Sequence, residues 1–308
     1  MTYTPASDVL VVGSVAYDAI QTPFGKGDSL LGGSASYASV ATSFFATPRL
    51  VGIVGNDFRD VDLARFRERE ICLEGLEVDN SGGTFFWAGR YHENFEGRDT
   101  LETRLNVFDG YSPVLPDSYK EVDYVLLANI GPDLQLHVLS QMAAGHRPFV
   151  VADTMNLWID IMQAKLLELL QHIDVLVLND EEAEQLTGES NIFKSGPALQ
   201  AKGPATVIVK KGAHGAVLFS GDERFILPAY PVTDLRDPTG AGDTFVGAFV
   251  GYLAQKRDTS FDAMKRAMLY ATVTASFTVE AFSFDRLEAE GLDGIEGRAS
   301  ELQKLVRL

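Results

Sequence analysis

The 308-residue chain carries one cysteine, Cys72, which excludes an intramolecular disulfide and a thiolate metal cluster. Its setting, Ile71-Cys72-Leu73, predicts buried packing. Basic residues are scarce: 26 Lys and Arg stand against 43 Asp and Glu, a formal net charge of −17. That balance argues against nucleic acid as the main partner, because a phosphate backbone is held by Lys and Arg. It equally disfavours an anionic membrane surface. A nucleotide is still open to such a chain where backbone amides and magnesium supply the local positive field. No apolar run approaches the roughly 20 residues of a membrane span, and Met1-Thr2-Tyr3-Thr4-Pro5 lacks the basic region and apolar core of a signal peptide. We therefore expect a cytoplasmic protein. Internal repeats, low-complexity segments and an obvious interdomain linker are also missing. What is there, 46% apolar and 22% charged residues, is the composition of an ordinary globule with ample length for a core.

One stretch organises the rest. Asp237-Pro238-Thr239-Gly240-Ala241-Gly242-Asp243-Thr244 is a rigid turn, two glycines around one small residue and a carboxylate, running into Phe245–Lys256. Phe245, Val246, Phe249, Val250, Tyr252 and Leu253 leave the following helix hardly any polar face, which predicts burial. Gly247 and Gly251 lie on one face and permit close approach by another element. The mouth of such a helix attracts anions, because its first-turn amides lack partners and its dipole is positive there. Asp243 is then either an N-cap or a base beside a phosphate site.

Upstream, Asp8–Gly13 reads as a buried strand and Ser14–Ile20 as a second strand with polar positions, Asp18 among them. Gly32-Gly33-Ser34-Ala35-Ser36-Tyr37 opens a small-residue helix. It nearly spells a Gly-x-Ser-x-Gly nucleophile elbow, but Ser36 fills the last glycine position and no strand of the expected kind leads directly into it, so a hydrolase is set aside. Arg49–Gly55 is strand-like, and Phe58–Glu70 a charged helix with Val61, Leu63 and Phe66 inward. Thr84–Tyr91 and Thr100–Phe108 flank the turn cluster Asn94–Asp99 and predict a hairpin with one wet face, a candidate lid together with the strand around Asp18.

From Asp123 the pattern is regular. Tyr124–Ala128, Phe149–Ala152, Val175–Leu178 and Thr206–Val209 are apolar strands, with helices at Leu134–Ala144, Trp158–Leu170, Glu181–Leu186 and, more weakly, Ala198–Lys202. Units of about 25–30 residues suit parallel crossovers, and strands this apolar suit a sheet covered on both faces. Ala216–Phe219 and Arg224–Leu227 predict a peripheral hairpin, and further helices are expected at Phe261–Glu280 and near Ile295–Val306. Polar residues recur where the strands end: Asn129, then Asp153 and Asn156, then Asn179 and Glu182, then Lys210-Lys211-Gly212. In an open parallel sheet such ends line one crevice, although each residue alone is as readily a cap or turn, Asp180 being the candidate cap of its helix.

With these residues in view, the chain resembles the ribokinase-like (PfkB) family of carbohydrate and nucleoside kinases over essentially its full length. Asp237–Phe245 matches the family's C-terminal signature, Gly32-Gly33 its N-terminal glycine signature, Asn179-x-x-Glu182 its Asn-x-x-Glu motif and Gly212-x-x-Gly215 its nucleotide-side turn. The resemblance implies an α/β three-layer sandwich with a mainly parallel central sheet, as one domain over 1–308, and a small β lid from about 14–31 and 84–110. It implies transfer of the γ-phosphoryl group of ATP, with Mg2+, to a hydroxyl of a sugar, polyol or nucleoside. Asp243 would be the general base, and the amides of Gly240, Ala241 and Gly242 the anion hole. Asp18, Gly32, Gly33, Tyr37 and Asn129 would face the acceptor. Asn179, Glu182, Lys210, Gly212 and Gly215 would serve the nucleotide, with Glu182 reaching magnesium through water. Asp237 and Thr239 would hold a monovalent cation, K+. The lid would exclude water, and its edge could pair with a twin in a homodimer.

The chain departs from ribokinase itself at Ala16, where a polar Asn is usual, at Ser34 and Tyr37, where Lys and Asn are usual, and near Asn129-Ile130, where a glutamate is usual. The departures weigh against ribose, and the Leu31–Ser39 wording is similar to that of inositol kinases. Segment Ala275–Phe284 lacks the usual glycine of the adenine side. A non-catalytic sugar- or nucleotide-binding regulator is the alternative from another class, disfavoured because a binder has no use for Asp243. A nicotinamide fingerprint fails on spacing, since the next glycine after Gly242 is Gly247. A Walker A loop is absent, because the sole Gly-Lys, Gly25-Lys26, has no glycine at the required upstream position.

Overall fold

Apolar, β-branched runs build the centre of the molecule. The computed structural model describes residues 7–307 apart from Asn94 and Glu96, so the readings of Met1–Pro5 and of those two turn positions lie outside the described residues. The first part of the chain forms β1 (Asp8–Val12), β2 (Ala16–Thr22), β3 (Gly25–Gly32), α1 (Ser34–Thr42), β4 (Thr47–Gly55), α2 (Asp60–Glu68) and β5 (Cys72–Asp79). Then come β6 (Phe85–Tyr91), β7 (Arg98–Arg104), β8 (Tyr124–Leu127), α3 (Pro132–Ser140), β9 (Phe149–Asp153), α4 (Asn156–Ile161) and α5 (Gln163–Leu169). The remainder forms β10 (Val175–Asn179), α6 (Asp180–Thr187), α7 (Ile192–Gln200), β11 (Thr206–Lys210), β12 (Ala216–Ser220) and β13 (Glu223–Leu227). Helices α8 (Ala241–Lys256), α9 (Phe261–Thr278) and α10 (Asp285–Leu305) close the chain.

The large sheet runs β13-β12-β11-β10-β9-β8-β1-β4-β5. It is parallel from β5 to β11 and antiparallel where β12 and β13 fold back. Alternate residues of its strands enter two separate cores, as the two-residue period of a strand requires. Val9, Val11, Leu126, Val177 and Ile208 pack toward α1, α8, α9 and α10. Leu10, Val12, Leu127, Leu178 and Val209 pack toward α3 to α7. The result is the expected three-layer α/β sandwich. A second sheet, ordered β3-β2-β6-β7, stands beside it. Its β2–β6 pair is parallel while the two outer pairs are antiparallel.

Several expectations need correction. Strand β3 leads into Gly32 but belongs to the small second sheet, and Ser34 Oγ is committed to Ser14 and to the Asn129 carbonyl rather than to a histidine. In α2 the inward residues are Asp62 and Phe66, and Val61 is 66% exposed. The reason is Tyr17 of β2, whose hydroxyl donates to Asp62 at 2.6 Å and accepts from the Arg59 backbone at 2.9 Å, rotating the helix to meet it. Cys72 is half-buried. The Trp158–Leu170 helix is broken at Met162, α7 starts at Ile192, and α10 starts at Asp285 with non-helical backbone at Gly291. Strand β7 is exposed on both faces, not one. The cap of α6 is Asn179, not Asp180.

The buried helix α8 lies against α1 as the glycine pair suggests. A Cβ on Gly247 would stand 2.3 Å from the Ala38 carbonyl oxygen, and one on Gly251 3.1 Å from Thr42. Thr42 Oγ1 also donates to the Gly247 carbonyl at 2.9 Å. With helix backbones this close, even one added methyl must push them apart. Gly247→Ala is expected to destabilise the protein by about 1–3 kcal/mol, read as a lowered midpoint in a thermal melt. An unchanged midpoint would contradict the contact.

Candidate active site

The Asp237–Gly240 loop is pinned before α8 begins. The backbone N–H groups of Arg236 and Asp237 both donate to the Val279 carbonyl at the end of α9, at 2.8 and 3.2 Å. Asp237 is fully buried, and its Oδ1 accepts from the Thr239 amide at 2.9 Å while Oδ2 has no partner among the described residues. Gly240, at φ 75°, is the N-cap of α8. That left-handed backbone is open to glycine and strained for other residues. It turns the chain into α8, where the Ala241 amide donates back to the Pro238 carbonyl at 3.3 Å and Asp243 is the acid of the first turn.

Neighbouring strand ends supply the charges around this mouth. Lys210, the last residue of β11, reaches across so that a Cβ on Gly242 would meet its Nζ at 3.0 Å. The same Nζ stands 3.5 Å from both carboxylate oxygens of Asp153, the last residue of β9. Asn179, the last residue of β10, pairs with Lys210 in the sheet register. Its side chain accepts from the Glu182 amide at 2.7 Å, and Glu182 accepts from the Asn179 amide at 2.8 Å. This capping box holds the Glu182 carboxyl rigidly beside Lys210. After β11, Gly212–His214 form a short 3-10 turn closed by Gly215, where a Cβ would sit 2.0 Å from the Leu227 carbonyl oxygen.

On the opposite side, Asp18 of β2 is 5% exposed and packs onto Gly32, where a Cβ would stand 2.0 Å from its carboxylate. The backbone amide of Gly33 donates to it. Gly33, at φ 91°, caps α1 with no room for a side chain against the Ser14 backbone. Tyr37 is buried with its ring against Gly240. The second sheet closes over the loop: Tyr91 Oη meets Thr239 Oγ1 at 2.9 Å. Arg98, facing Tyr91 across β6 and β7, hydrogen-bonds to it and places its guanidinium 5.5 Å from the Trp87 ring.

The electrostatics are those of a concentrated acid cluster. Burial raises Asp18 to about 8, with Asp237 and Asp243 adding to the shift and Arg98 opposing it. Asp243 is raised to about 7 by burial and by Asp153, against Lys210 and Arg98. Burial likewise raises Glu182 to about 7 and Asp237 to about 6. Asp153 also rises by burial, opposed by Lys210. For Lys210, burial works against the charge, but Asp153, Glu182 and Asp243 outweigh it and keep the ammonium form above its ordinary range. Carboxyls placed this way readily exchange protons near neutrality or take up a cation.

The structure therefore gathers Asp18, Gly32, Gly33, Tyr37, Asn179, Glu182, Lys210, Asp237, Thr239 and Gly240–Asp243 around one crevice. Asn129 lies at its rim with both ends of its amide engaged. Trp158 Nε1 donates to Oδ1 at 2.8 Å, and Nδ2 donates to Met155 Sδ at 3.1 Å. Sequence reading missed Trp158, Tyr91 and Arg98. Tyr91 and Arg98 are paired in the β6–β7 register, a pairing that the hairpin pattern alone does not specify. Trp158 carries no sequence signal either.

Known proteins share this fold and its family. A family model described as pfkB family carbohydrate kinase matches residues 6–286. A cytidine kinase from Thermococcus kodakarensis is 28% identical over 252 residues, spanning 80% of this chain and 88% of that one. An inositol 3-kinase from Arabidopsis thaliana is 24% identical over 284 residues, spanning 88% of this chain and 74% of that one. Among solved structures, an E. coli protein described as a ribokinase II, in complex with ATP and Mg2+, superposes with a TM-score of 0.78 at 22% identity, covering 96% of this chain and 99% of its own. With the family model spanning most of its length, the chain belongs to the pfkB family of carbohydrate kinases, phosphotransferases that act on a hydroxyl group.

Proposed function

We propose that the protein transfers the γ-phosphoryl group of ATP, with Mg2+, to a hydroxyl of a small sugar-bearing alcohol, with nucleosides ahead of free sugars. The observation that carries this reading is the junction at Gly240–Asp243: the helix-mouth amides of Gly240 and Gly242, the Lys210 ammonium and the half-buried Asp243 carboxyl, raised toward neutrality, meet there. Phosphoryl transfer requires mainly positioning and stabilisation of charge, with little covalent work by the protein. The nucleoside preference is supported by the similarity to a cytidine kinase over most of the chain. It is also supported by Ala16, which offers no polar contact, and by Asn129, whose amide is committed to Trp158 and Met155.

In this mechanism Asp18 and the Gly32-Gly33 turn hold the acceptor, with Asn129 beside them. Asp243 takes the proton from the attacking hydroxyl. The amides of Gly240, Ala241 and Gly242 receive the charge of the transferring group, with Lys210 and the lid's Arg98 as counter-charges. Asn179, Glu182, Gly212 and Gly215 border the nucleotide. Bound Mg2+ would supply neutralising charge on the β- and γ-phosphates. No group of three or more His, Cys, Asp or Glu that could hold a metal is present among the described residues. The ion would therefore rest mainly on the phosphates, with Glu182 behind water. A monovalent cation fits Asp237, whose buried Oδ2 lacks a partner. The second sheet acts as a lid that keeps water from the phosphoryl group, and its uncovered edge strand β7 suits a homodimer. We place the enzyme in the cytoplasm.

Asp243→Asn is expected to lower kcat by at least ~100-fold, the range for loss of a general base, while the protein stays folded and binds ATP. Near-wild-type turnover would refute the role. Because the base acts only when ionised and its carboxyl is raised to about 7, kcat/KM should fall as pH drops below about 7 and level off above it. A profile flat from pH 5.5 to 8 would count against Asp243. Asp18→Ala should weaken acceptor binding and leave ATP binding in place; an unchanged acceptor affinity would remove Asp18 from the acceptor site.

A further inference from the structure

The ring of Tyr37 meets the catalytic loop where the loop is most constrained. A Cβ on Gly240 would stand 2.3 Å from Cε1 and 2.4 Å from Cδ1 and Cζ of that ring, so the phenol lies against the backbone of the residue that caps α8. The ring is 2% exposed and packs against Phe284, edge-on at 5.5 Å and 89°. Its hydroxyl, although fully buried, has no hydrogen-bond partner among the described residues. The contact that Tyr37 does make is therefore made by the ring.

The platform beneath the ring is rigid. Tyr37 precedes Ala38, the residue against which Gly247 packs, and Thr42 one turn later is hydrogen-bonded to the Gly247 carbonyl at 2.9 Å. Helix α1 is thus clamped to α8 itself, and Tyr37 projects from that clamp onto the loop entering α8. Gly240 satisfies two demands at once: a positive φ, and a backbone bare enough to accept an aromatic face. A smaller side chain at position 37 would leave a void beneath Gly240 and free the loop to leave its left-handed turn.

We propose that Tyr37 is a positioning residue whose ring seats Gly240, and thereby aims the amides of Gly240, Ala241 and Gly242 at the transferring phosphoryl group. The proposal rests on the kinase reading above and replaces direct acceptor contact as the main task of Tyr37. Its consequence is a separation of ring from hydroxyl, which two substitutions resolve.

Tyr37→Phe keeps the ring and is expected to hold kcat within ~3-fold of wild type. Tyr37→Leu removes it and should lower kcat by ~100-fold, the scale of a misplacement of about 1 Å, with acceptor KM changed less than ~3-fold. The same variants are titrated with inorganic phosphate alone, monitored by calorimetry. Affinity should weaken ~10-fold in Tyr37→Leu and remain unchanged in Tyr37→Phe. Should Tyr37→Leu fail to fold, Phe284→Leu, which only unlocks the ring edge, should give a smaller kcat loss with the same split from KM. Retained kcat and phosphate affinity in Tyr37→Leu would overturn the proposal, as would a Tyr37→Phe variant as impaired as Tyr37→Leu. If the wild-type protein releases no ADP with any acceptor, the kinase reading has failed, and the phosphate titration still decides the role of the ring.

Discussion

The dominant constraint on this structure is the crowding of carboxyls into one crevice. Asp18, Asp153, Glu182, Asp237 and Asp243 come from four separate segments and meet where solvent is scarce. Isolated buried carboxylates are costly, and such groups neutralise or find counter-charges. Within the described residues those counter-charges are chiefly Lys210 and Arg98. The crevice is thus short of positive charge, and a magnesium-bearing polyphosphate would relieve part of that deficit. This reconciles a net charge of −17 with a nucleotide ligand: the positive field is local, made by backbone amides, one lysine and an incoming metal.

Holding that crevice open depends on bringing backbones unusually close. Small residues in α1 and the glycines of α8 let two buried helices touch through their main chains. The loop between α9's anchor at Val279 and the start of α8 then has little freedom. On the other wall, the Tyr17–Asp62 hydrogen bond ties β2 to α2, which fixes the strand carrying Asp18. Catalytic geometry in this protein is a property of the helix and strand contacts behind it as much as of the charged residues that face the ligand.

Much of this was legible in the sequence because it is local. The Asp237–Asp243 turn, the apolar helix after it and the apolar parallel strands announce themselves through glycine placement and periodicity. The Asn179-x-x-Glu182 spacing is a capping box as well as a family motif, so local chemistry and function coincide there. What sequence could not supply was pairing over long distance. Val61 reads inward by hydropathy, but Tyr17, 45 residues upstream of Asp62, demands Asp62 in its place. Trp158 and Asn129 are joined across 29 residues by a side-chain hydrogen bond that no periodicity reveals. Strand β3 is weakly marked locally because Gly25, Lys26 and Asp28 are exposed, and pairing with β2 is what makes them a strand. The contact of the Tyr37 ring with Gly240, more than 200 residues away, is likewise one that no local pattern reveals.

The central claim, acceptor-dependent phosphoryl transfer at Asp243, is tested most directly by ADP release from ATP and Mg2+ across a panel of nucleosides, pentoses, hexoses, keto-deoxy acids and inositols. The account predicts ADP release well above the no-acceptor rate with at least one member, nucleosides foremost, and one phosphate gained by that acceptor. ATP binding without ADP release for any acceptor would contradict it and leave a nucleotide-binding regulator as the better description.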